Sequence, residues 1–174
     1  MNYFVAKYPF FFFFWFMVFF PLCFYGCASL SNKDHPFHFD RQHAILSERE
    51  GWQVLQDEKE GIILWNEEHH ATIVMLYSPS GNKKLTPDLL NHQLFIGIRN
   101  KDIVFKEPLI IDGKDALRSL LLGELDSRRF KFDSYTINGE GIVCDIVYFA
   151  PPDFFDATHE DFLTLIQTFK FPAQ

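Results

Sequence analysis

Cysteine is scarce in this sequence: there are three, and two of them, Cys23 and Cys27, fall in the first 27 of 174 residues. Beyond that segment Cys144 stands alone, so a disulfide-framed domain is excluded. Cys144 sits in the apolar alternation Ile142–Tyr148 with Asp145 beside it, which reads as a buried small hydrophobe rather than a reactive thiol. Positive charge is also in short supply. After Cys27 there are 15 Lys and Arg against 23 Asp and Glu, a formal net charge of −8. That balance argues against phosphate-backbone binding, which needs clustered cations, and no nucleic-acid partner is implied. No phosphate-cradling glycine loop occurs, because Ser80-Gly81-Asn82-Lys83-Lys84 lacks the spacing. No serine lies in a nucleophile-elbow pattern either, and no cofactor is implied.

Charge is missing altogether from Tyr8 to Leu30, and what fills the gap is aromatic. Phe10–Phe20 reads FFFFFWFMVFF, and ten of the 22 Phe precede Cys27. Lys7, an apolar stretch and the small residues Gly26-Cys27-Ala28-Ser29 follow in the order of an export signal. Gly26-Cys27 resembles the last two positions of a bacterial lipobox, which makes Cys27 the candidate lipidation site. Phe24 and Tyr25 depart from the usual residues before it, and Cys23 is a poorer candidate because Leu22 precedes it. The alternative is an uncleaved anchor, since 23 uncharged residues are enough to span a core of about 30 Å. Either arrangement leaves Lys7 inside and the rest of the chain outside the cytoplasm. The expected organisation is a signal segment at 1–27, a polar tether at 28–43 and one domain at 44–174.

Within that domain, Val54-Leu55 precede a charged turn at Asp57–Gly61. Ile62–Trp65 and Ala71–Tyr77 read as a hairpin across Asn66–His70, and Ser78–Lys84 as a loop. Thr86-Pro87-Asp88 is a helix start, with a hydroxyl cap, proline at the first position and an acid in the first turn. Leu90, Leu94 and Ile98 place its apolar stripe and predict an end near Asn100. Pro108, between Ile103–Phe105 and Leu109–Ile111, predicts an edge strand or a bulge. Ala116–Leu125 is apolar enough for helix or strand, and periodicity does not choose between them. Phe130, Phe132 and Tyr135 mark the next strand, Asn138-Gly139 a hairpin turn and Ile142–Phe149 the return. Thr158 with Asp161 predicts a capping box, and Phe162, Leu165, Ile166 and Phe169 line one face of a closing helix. The fold class expected is α+β: a twisted, largely antiparallel sheet covered by a middle helix and a C-terminal helix.

Three groups of residues carry a resemblance: Gly51-Trp52 at a strand entry, Tyr148-Phe149-Ala150-Pro151, and Asp161-Phe162 with Thr168-Phe169-Lys170-Phe171-Pro172. In that order, around a hairpin, a helix and paired strands, the chain resembles the Mog1/PsbP-like fold over residues 44–172. It is most similar to the DcrB-type and PsbP-related bacterial envelope lipoproteins. The resemblance implies a binding or assembly module without a shared catalytic centre, and it supplies no catalytic residues to carry over. The shared positions read as core, with Trp52 against the sheet and Phe162 and Phe169 under the last helix.

Three polar clusters remain. Glu67-Glu68-His69-His70 holds possible metal ligands, but neighbours on a strand point to opposite faces. His35, His38, Asp40 and His43 lie in the tether, without a framework to preorganise them. Asp153, Asp156, His159, Glu160 and Asp161 gather at a helix start, where acids complement the dipole. The expectation is therefore a non-enzymatic domain held at the membrane by a lipid anchor in the cell envelope, on the periplasmic side in a Gram-negative cell. Its partner would be an envelope protein or a small ligand. The alternative is an exported metal-handling protein or hydrolase using one of the His/acid clusters.

Overall fold

The structure, a computed structural model, describes residues 51–58, 61–80, 85–139 and 141–171. The expected signal segment with Cys23 and Cys27, the tether with His35, His38, Asp40 and His43, and the stretch Ala44–Ser47 lie outside the described residues. Among the described residues, seven strands and two helices follow in order. They are β1 (Trp52–Glu58), β2 (Gly61–Asn66), β3 (Ala71–Pro79), α1 (Pro87–Leu94), β4 (Arg99–Ile111), β5 (Lys114–Leu125), β6 (Arg128–Asn138), β7 (Ile142–Ala150) and α2 (Phe155–Thr168). No helix among the described residues is long and apolar enough to cross a membrane.

The strands form one antiparallel sheet in the order β1-β2-β3-β7-β6-β5-β4. The chain leaves β3, crosses to the far edge by way of α1, and returns through β4, β5 and β6 until β7 closes against β3. The predicted hairpins at Asn66–His70 and Asn138-Gly139 are both present, and β4 with its Pro108 is an edge strand. It is also bulged, with register shifts between Arg99 and Asp102 and between Ile103 and Phe105. Such irregularities discourage pairing of an open edge with another chain.

Alternation on β6 sends its side chains to two different cores. Tyr135 and Ile137 join the larger core beneath α2, with Tyr148, Ile146, Phe155, Phe162, Leu165 and Phe169. Phe132 joins a smaller core with Phe95, Leu121 and Val147, bordered by Leu94 and Ile98. Tyr148, Phe155 and Phe162 are among the largest fully buried side chains, and burial contributes roughly 1.5–3 kcal/mol for each such aromatic. Trp52 is buried too, and its indole Nε1 donates to Asp161 of α2 at 3.0 Å.

Ala116–Leu125 is a strand. Its apolar run has no two-residue period because β5 is covered on both faces. α1 begins as expected, with Thr86 Oγ1 accepting from the Leu89 amide, but it stops at Leu94 rather than near Asn100. Gly97, at φ +97°, takes the left-handed turn that ends helices. Ile98 then packs beside β5, where a Cβ on Gly123 would collide with it. The closing helix also starts earlier than Thr158 and Asp161 suggest. It begins at Phe155, after the Pro151–Phe154 turn, and its N-cap Phe154 has no side-chain cap. Thr158 is instead buried inside the helix, its hydroxyl 3.1 Å from Tyr148 Oη, so the capping box does not form.

Candidate functional site

Asp133 faces α2 from β6, and its carboxylate has no exposed surface. A buried carboxylate is costly unless paired and hydrogen-bonded. Here two elements supply the partners. From β5, Arg118 donates through Nε to Oδ1 at 3.1 Å and through Nη2 to Oδ2 at 2.8 Å, a two-pronged contact. From α2, His159 Nε2 lies 2.8 Å from the same Oδ2. The guanidinium is itself held between the rings of Phe105 and Tyr135, at 5.2 and 5.4 Å from their centroids. Glu107 on β4 approaches Nη1 at 3.5 Å. The hydrogen bonds that Arg118 donates to Asp133 push the guanidinium pKa up, outweighing the burial that lowers it. His159 packs against the rings of Phe155, Tyr148 and Phe162, with centroids 4.7, 5.5 and 6.1 Å away.

One carboxylate thus joins β5, β6 and α2. A histidine oriented by an acid is also half of an acid–base pair, which needs a nucleophile on its other side. Among the described residues, no serine, threonine or cysteine hydrogen-bonds to His159. The nearby hydroxyls of Tyr148 and Thr158 are engaged with each other, and Tyr148 donates to the Phe155 carbonyl. The arrangement is a clamp between helix and sheet.

A second buried network lies on the opposite face, under α1. Asn91, fully buried, accepts from Ser119 Oγ at 2.8 Å and donates to Ser134 Oγ and Thr136 Oγ1 at 3.3 and 3.4 Å. Thr136 in turn donates to Asp145 at 2.8 Å. Burial pushes Asp145 up to about 6, against the downward pull of that hydrogen bond. Cys144 beside it is fully buried as expected, and burial pushes its thiol up, away from the reactive thiolate.

The sequence clusters separate in space. Glu67, Glu68 and His70 are exposed at the β2–β3 turn and His69 is half-buried. The two imidazoles pack against Phe154 at centroid distances of 6.4 and 5.9 Å. Around α2, Asp153, Asp156 and Glu160 are exposed and Asp161 accepts from Trp52, leaving His159 alone to reach Asp133. Among the described residues, no three His, Cys, Asp or Glu side chains come together as a metal-binding group. Sequence reasoning passed over Asp133 and Arg118. The available signal was two opposite charges, each on an inward-facing row of adjacent strands: Asp133-Tyr135-Ile137 and Ala116-Arg118-Leu120.

No family model matches the chain, and no curated protein matches it in sequence. Solved structures do match in fold. Cyanobacterial PsbP (CyanoP) of Synechocystis superposes with a TM-score of 0.54 at 12% identity, over 71% of this chain and 83% of its own. PA94 of Pseudomonas aeruginosa, a protein of unknown function, gives 0.54 at 14% identity, over 60% of this chain and 74% of its own. LpqN, involved in cell envelope biogenesis of Mycobacterium tuberculosis, gives 0.50 at 15% identity, over 68% and 76%. At these identities the likeness is one of fold, and a fold alone does not fix a function. The fold is PsbP/Mog1-like, as the residues around Trp52, Tyr148 and Phe169 led one to expect.

Proposed function

We propose, on the premise of a PsbP/Mog1-like fold, that this chain is a non-catalytic domain of the cell envelope. In this reading it is tethered to the membrane through a lipid on Cys27 and has a binding or assembly role. The observation that carries the non-catalytic part is the clamp. Its imidazole, guanidinium and carboxylate are turned on one another beneath α2, instead of into a shared cleft with a nucleophile. The uncharged aromatic run behind Lys7 and the Gly26-Cys27 pair support the tether. LpqN and CyanoP, at low identity, support the kind of setting but no particular partner.

The partner, an envelope protein or a small ligand, meets the surface around β4 in this reading. There Ile103, Val104 and Ile110 are 53%, 54% and 64% exposed on one edge strand, more apolar surface than a solvated edge needs. The test is photocrosslinking in intact cells, with a benzophenone amino acid replacing Val104 or Ile110 in the full chain and Glu67 as the control position. A discrete adduct at the β4 positions and none at 67 is expected. Equal adducts at all three positions, or none at β4, would remove the assignment of this edge.

A further inference from the structure

We draw no further inference here: the strongest candidate, the half-buried apolar shelf that Phe105, Leu109, Leu120 and Leu122 form around Arg118 on the α2 side of β4 and β5, carries nothing, because nothing in the structure shows what covers it.

Discussion

His159 Nε2 stands 2.8 Å from Oδ2 of Asp133, a carboxylate with no exposed surface, and that contact ties α2 to the centre of the sheet. The same oxygen accepts from Arg118 at 2.8 Å. Asp133→Ala would leave the guanidinium and the imidazole without their shared acceptor. Breaking a buried pair by removing one partner costs about 3–5 kcal/mol. Urea unfolding should show the midpoint falling accordingly with an unchanged slope. A loss below about 1 kcal/mol would mean that the clamp is not a structural joint.

The network under α1 is paired through Asn91, so removing this hub leaves buried hydroxyls without partners. Asn91→Leu leaves Ser119 Oγ without its acceptor and Ser134 and Thr136 without a donor. The expected cost is about 2–4 kcal/mol, since each unsatisfied buried polar group costs roughly 1–3 kcal/mol. Thermal melting of the variant reads it. A variant as stable as the parent would show that water replaces the lost partners.

Asp145 contributes a pH dependence to stability. Its folded-state pKa, about 6, lies above the ordinary carboxylate value, so between the two the folded state binds more protons. Its contribution to stability is therefore greatest below the unfolded value and falls as pH rises toward 6. Asp145→Asn keeps an acceptor for Thr136 without the buried charge. It should raise stability at pH 7–8 by about 1–3 kcal/mol and change it little at pH 3. Equal melting shifts at both pH values would contradict this.

Gly123 and Ile98 should be coupled. A methyl at position 123 would collide with Ile98 Cγ2, and overpacking of this kind costs about 1–3 kcal/mol. Gly123→Ala should lower the melting temperature, and Ile98→Ala in the same chain should recover part of the loss. Strictly additive losses in the double variant would show that the two positions do not share the space.

What was legible in the sequence divides along physical lines. Thr86-Pro87-Asp88, the turn at Asn138-Gly139 and the edge character of Pro108 are local chemistry, and each is where its residues place it. The capping box at Thr158 is locally sound as well, but Tyr148 on β7 claims that hydroxyl from across the core. Long-range pairing is what a one-dimensional pattern lacks. Ser119 and Ser134 become neighbours only once β5 and β6 are in register, and Asn91 meets them only once α1 lies over both. Asp133 was readable as an odd charge on an apolar row. Its partner on α2, 26 residues further on, was not.

The tether is tested most directly by metabolic labelling of cells expressing the full chain or Cys27→Ser. If the thiol carries the anchor, labelled palmitate enters the parent chain and its signal segment is removed before Cys27. The Cys27→Ser chain then stays unlabelled and keeps the segment. A Cys27→Ser chain that is processed to the parent's mature size, or labelled as strongly, would contradict the lipid tether on Cys27.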